Sequence, residues 1–171
     1  IEMPRKDYRR LMKIFRKELP PYYEIHSHGT DHNYILLFNK LRDKDSVYHE
    51  GGNAVHWKKR GCFVDIFAME ASSRKISDAA YWWYSFADRF MARGYCRTAD
   101  LCYRLFKGII QPIARICSLF TKKEALYQPL GKYRNNPRYL LDIYPLGTVE
   151  FEGKVYSAPA NPDGYLRQIF G

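Results

Sequence analysis

The run Gly61-Cys62-Phe63-Val64-Asp65-Ile66-Phe67 places one carboxylate inside a stretch of β-branched and aromatic residues. Such a stretch reads as a buried strand. An ionised carboxylate within it is costly unless a cation meets it. Asp65 therefore requires a metal ion, an Arg or a Lys, and the fold must deliver one. A strand predicted from about Tyr34 to Arg42, buried through Ile35-Leu36-Leu37-Phe38, carries Lys40, Arg42 and Asp43 at its end. If the two strands are neighbours, Asp65 can hold a divalent cation while Lys40 and Arg42 approach phosphate oxygens. Alternatively, Asp65 pairs with Lys40 or Arg42 as a buried salt bridge and binds no metal. The residues leave both readings open.

The 171 residues, 46% hydrophobic and 16% aromatic, suffice for one domain with an ordinary core, which argues against disorder. The most apolar stretch, Gly108 to Phe120, is interrupted by Gln111, Pro112 and Arg115 and is too short to span a bilayer. Cys62, Cys96, Cys102 and Cys117 form no C-x-x-C pair, so free thiols in a reducing compartment are expected. Ile1-Glu2-Met3-Pro4 offers neither an initiator Met nor a signal segment, which reads as a piece of a longer protein. Between Asp88 and Arg138 eleven basic residues face three acidic ones, accounting for +8 of the formal +10. That excess favours an anionic partner, or is a solvated basic face. No RNA- or DNA-binding signature accompanies it, so no nucleic-acid partner is expected.

Along the chain, Pro4 opens an amphipathic helix with Tyr8, Leu11, Phe15 and Leu19 on one side, ended by Pro20-Pro21. A short strand from Tyr22 to Ile25 precedes a polar loop. Two or three helices are expected from Ser72 to Lys123, broken near Gly94 and at Pro112. A hairpin then joins Thr148–Phe151 to Val155–Ala158, and a last helix runs from Asn161-Pro162 to a cap at Gly171. His26, His28 and His32 lack the ligand count of a zinc site and read as a solvated loop. His49, Glu50 and His56 precede the Asp65 strand. A general base acting on an acceptor hydroxyl ranks there below a structural loop. The Tyr81 to Phe90 aromatics read as core rather than as a cage for a quaternary ammonium group.

Four segments, Met3-Pro4-Arg5-Lys6-Asp7-Tyr8, Phe38 to Lys44, Gly61 to Glu70, and Phe151-Glu152-Gly153 through Tyr165-Leu166 to Phe170-Gly171, resemble in that order the LicD family. The resemblance implies an α+β, nucleotidyltransferase-like mixed sheet over residues 1–171. It also implies a basic helical insertion at 72–138 and a C-terminal hairpin plus helix. It implies transfer of phosphocholine or a similar phospho-group from a donor such as CDP-choline to a glycan acceptor, for example teichoic acid or lipopolysaccharide, with Mg2+ or Mn2+. Asp65 would be the third metal-binding carboxylate, Lys40 and Arg42 would face the donor diphosphate, and Asp43 would orient them. The expected location is cytoplasmic, or peripheral at the inner face of the membrane. The family's carboxylate pair lies immediately before the Met-Pro-Arg-Lys-Asp-Tyr segment. Glu2 with Ile1 cannot replace it, so residues 1–171 alone are expected to be inactive. The alternative is a non-catalytic module that binds anionic membrane or polymer through its basic helical segment.

Overall fold

The computed structural model describes residues 1–123, 125–132 and 137–170, so the expected cap at Gly171 and the charges of Glu124 and Arg134 lie outside the described residues. The chain is α+β. It runs β1 (Glu2–Pro4), α1 (Arg5–Glu18), β2 (Tyr23–His26), β3 (Asn39–Asp43), β4 (Phe63–Ser72), α2 (Arg74–Ala92), α3 (Cys96–Leu105) and α4 (Gln111–Leu119). It continues through β5 (Ala125–Tyr127), β6 (Pro137–Tyr139), α5 (Leu140–Ile143), β7 (Gly147–Phe151), β8 (Lys154–Ala158) and α6 (Pro162–Phe170).

The Asp65 run is the middle of the sheet. β4, ten residues long, pairs antiparallel with β3 and β5 and parallel with β1, and β2 and β6 extend the sheet beyond β3 and β5. Successive strand residues point to opposite faces. The face carrying Glu70 and Ser72 meets α4, through Arg115 Nε 2.7 Å from Glu70 Oε2 and Ser118 Oγ 2.7 Å from Ser72 Oγ. The other face carries Phe63, Asp65, Phe67 and Met69.

Helix spacing selects the core. Ser77, Ala80, Tyr84, Ala87 and Met91 form the buried stripe of α2 and pack with Tyr103, Phe106 and Leu130. The neighbouring Trp82 and Trp83 point outward, so the α2 aromatics are only partly core. Between α3 and α4 the backbone stays helical, winding as a π-helix over Phe106–Ile110, and Pro112, just after that turn, lacks the N–H that a regular i→i−4 ladder would use. Helix ends at Leu119, and β5 and β6 return to the sheet, so the stretch 72–138 is not helical throughout. Likewise Ile35 to Phe38 are at least partly buried as expected but lie outside β3, which begins only at Asn39. Part of their polar backbone is met by side chains of the helical layer, Tyr84 Oη donating to the Ile35 carbonyl at 3.1 Å and Tyr103 Oη to the Leu36 carbonyl at 3.3 Å. The β7–β8 hairpin forms as expected, with positive φ at Glu152 (51°) and Gly153 (71°) at its turn. The four cysteines are free, with Cys62 and Cys117 exposed.

Candidate functional site

Register brings the predicted residues together. Lys40 on β3 sits directly across from Asp65 on β4, and Arg42 across from Phe63, so both cations share the Asp65 face. The β3–β4 approach is tight. A Cβ on Gly61 would lie 1.7 Å from the Asp43 carbonyl oxygen, which is why glycine stands there.

Both cations are spent inside the protein. Lys40, 3% exposed, donates to Glu50 Oε1 at 2.8 Å and lies 3.2 Å from the centroid of the Phe63 ring. Arg42 is fully buried and donates to Glu50 Oε2 at 2.6 Å, to the Gly61 carbonyl at 2.6 Å and, through Nε, to His26 Nδ1 at 2.9 Å. Because a guanidinium only donates, His26 Nδ1 must accept, which leaves the proton on Nε2 to be donated to Asp31 Oδ2 at 3.1 Å. Burial, reinforced by the Arg42 charge against the opposing pull of Asp31, lowers the His26 pKa to about 4. The imidazole is therefore neutral at pH 7.

Asp65 is placed differently. Lys40 Nζ lies 2.9 Å from Asp65 Oδ1, the ion pair offered above as the alternative to a metal, while this buried oxygen has no hydrogen-bond partner among the described residues. The Tyr34 hydroxyl and the Trp57 indole N–H, on rings 4.9 Å apart and tilted by 56° beside the same cluster, are likewise buried without hydrogen-bond partners among the described residues. Burial, and then the Asp65 charge, push the Tyr34 pKa up. Of the donors expected to surround a divalent cation, Asp65 Oδ1 fits one position. The nearby Glu50 is occupied by Lys40 and Arg42, so the described side chains alone do not complete a metal shell.

The remaining predicted residues fall apart from this centre. Asp43 does not orient Lys40 or Arg42. Its Oδ1 accepts the Asp45 backbone N–H at 3.0 Å and shapes the turn after β3. That orienting task falls to Glu50, His26 and Gly61. His49 is exposed, and the His56 carbonyl accepts from Asn33 Nδ2 at 2.8 Å.

Beside β4 lies a cleft of about 480 Å³ lined in part by Glu2, Pro4, Met69, Leu126, Tyr144 and Tyr165. Parallel pairing matches Glu2 with Phe67 and Pro4 with Met69, so the cleft opens on the same sheet face as Asp65. Glu2 is anchored there by Arg138 Nη2 at 3.0 Å and by the Tyr165 hydroxyl at 2.5 Å. The Ile1 amino group donates to the Asp65 carbonyl at 2.7 Å, so a residue ahead of Ile1 in the same strand would lie beside Asp65.

A separate group joins His28, His32 and Asp100, whose ligand atoms lie within 4.8 Å of one another. Asp100 is already held by His28 Nε2 at 2.5 Å and by Arg104 Nη2 at 2.9 Å. Burial opposes its ionisation, but these hydrogen bonds win and lower its pKa. The Arg104 charge competes with any cation there. Set against protein-family models, curated proteins and solved structures, the chain matches none.

Proposed function

We propose that this chain is part of a metal-dependent transferase, nucleotidyltransferase-like in fold, that moves phosphocholine or a similar phospho-group from a CDP-choline-type donor to a glycan. The observation that carries the reading is Asp65 Oδ1, a buried carboxylate oxygen on the central strand that has an ion pair with Lys40 but no hydrogen bond, on the sheet face where the Met69 cleft opens. Such an oxygen suits a cation ligand. Asp65 would supply one ligand, and two carboxylates on the strand continuing β1 upstream would supply the others, because the parallel register runs that strand past Asp65. When bound, Mg2+ or Mn2+ neutralises donor phosphate oxygens as the nucleotide leaves.

Within this chain, Glu50, Arg42 and His26 act as positioning residues. They hold Lys40, and Lys40 offsets the Asp65 charge until a cation arrives. Arg42, enclosed on all sides, has no route to a phosphate in this arrangement, which moves the diphosphate-binding task away from it.

The test uses a chain that carries the family's two-carboxylate strand ahead of Ile1, incubated with CDP-choline and Mn2+. CMP release is expected, falling at least roughly a hundredfold in Asp65→Asn. Failure of every CDP-linked donor to be cleaved would sink the reading. Residues 1–171 alone are expected to release no CMP, since among the described residues of the cluster Glu50 is taken up by Lys40 and Arg42, which leaves Asp65, paired with Lys40 alone, to offer a ligand. Attachment to an anionic surface through the helical layer is a second reading, independent of Asp65 and compatible with it.

A further inference from the structure

The helical layer leaves an apolar face uncovered. Leu101, Leu105, Ile109, Ile113, Ile116 and Phe120 recur every three or four residues from α3 to the end of α4 and are 51% to 83% exposed. A soluble helix ordinarily turns such a stripe inward. Here the inward stripe is a different one, Ala99, Tyr103, Phe106 and Ala114, so the helices are apolar on two sides. Trp83, half exposed and edge-on to Trp82 at 5.1 Å, continues the face across a shallow groove of about 290 Å³ that it shares with Leu105 and Ile109. Contiguous apolar surface on this scale marks an interaction site.

Charge selects the occupant. No carboxylate falls between Asp100 and Lys123. The stripe begins just after the exposed Arg93 and Arg97 and ends just before the exposed Lys122 and Lys123, so cations bracket it at both ends. Exposed aliphatic residues, a tryptophan pair and flanking cations are the pattern of a surface that rests in the headgroup layer of an anionic bilayer. A two-fold contact between copies would press these cations together with no carboxylate from the stripe to meet them. No helix among the described residues is long and apolar enough to cross a membrane, so the geometry is one of lying on it.

We propose that the outer face of α3 and α4, together with Trp82 and Trp83, docks this protein on an anionic lipid bilayer. This goes beyond the transferase reading and does not depend on it. The experiment is flotation with phosphatidylcholine vesicles, alone or with equimolar phosphatidylglycerol, following tryptophan emission in parallel. Binding is expected only with the anionic lipid, with a blue shift of the emission. The partition coefficient should fall at least roughly tenfold in Ile109→Asp/Ile113→Asp and again in Lys122→Glu/Lys123→Glu. All four positions are solvent-facing or nearly so, and unchanged circular dichroism would confirm that the variants fold. The Asp65→Asn variant should bind like the parent, which separates this outcome from the fate of the transferase reading. Absence of binding, equal binding to neutral vesicles, binding unchanged by the Ile109 and Ile113 substitutions, or a dimer that these same substitutions dissociate would each overturn the proposal.

Discussion

Glu50 is where the buried charges converge, since one carboxylate answers both Lys40 and Arg42. Removing its charge strands two cations that are almost wholly inside, and each keeps only part of its remaining support. Glu50→Gln is expected to cost about 2–3 kcal/mol in urea-induced unfolding, while the isosteric amide leaves the packing unchanged. His26 gives a second expectation at this scale. Its folded pKa of about 4 lies below the ordinary 6.5, so the folded state resists a proton that the unfolded chain accepts. The stability this contributes is complete above pH 6.5 and is lost as pH falls toward 4, by up to about 1.4 kcal/mol per pH unit. The slope should flatten in His26→Asn if His26 is its source, as acid titration of the unfolding midpoint would show. Only some of this cluster was legible in the sequence. An Asp in an apolar run demands a cation, and Lys40 was named as a candidate because it follows another apolar run. The Arg42 contacts to His26 and Gly61 are not legible there, because His26 reads as the start of a polar loop whereas β2–β3 pairing makes it the last residue of β2, and Gly61 lies in the turn before β4. Glu50 reads as part of a loop more structural than catalytic, and its structural task is to anchor two cations, which the sequence does not show.

At the scale of elements, α2 tests whether spacing alone predicts burial. Met91 is fully enclosed and Trp82 is about half exposed, although both are large and apolar. Met91→Ala should cost about 3 kcal/mol and Trp82→Ala less than about 0.5 kcal/mol, measured by denaturant unfolding. At the start of β4, Gly61→Ala would drive a methyl into the Asp43 carbonyl and should part β3 from β4. Faster hydrogen exchange at the Asp43 amide, which donates to the Cys62 carbonyl at 2.9 Å, would report that parting. Helices and the β7–β8 hairpin were readable because their periods and turn residues are local. The apolar pattern makes β3 begin several residues too early, since a buried irregular segment that bends at Leu37 and Phe38 carries the same run of apolar residues as a paired strand, and only a neighbour decides between them. The three-residue strands β1, β5 and β6 are too short to carry any period, and tertiary pairing alone makes them strands.

At the scale of the whole molecule, Glu70 clamps sheet to helices. It receives Arg115 of α4 through two hydrogen bonds and Arg5 of α1 at 2.5 Å, so one buried carboxylate ties three elements. Glu70→Gln should destabilise by about 2–4 kcal/mol and leave the loss largely insensitive to salt, because the pair is shielded from ions. The α+β class was legible from the order of apolar patterns. The layering was not, because the apolar stripe that turns outward on α3 and α4 has the same spacing as one that turns inward. The Glu2 anchor also has a topological consequence. Because Glu2 meets both Arg138 and Tyr165, the first strand and the last helix are neighbours in space. One carboxylate on the first strand thus holds the latest described helix against the sheet, so the fold is latched by a contact between the two most distant parts of the described chain.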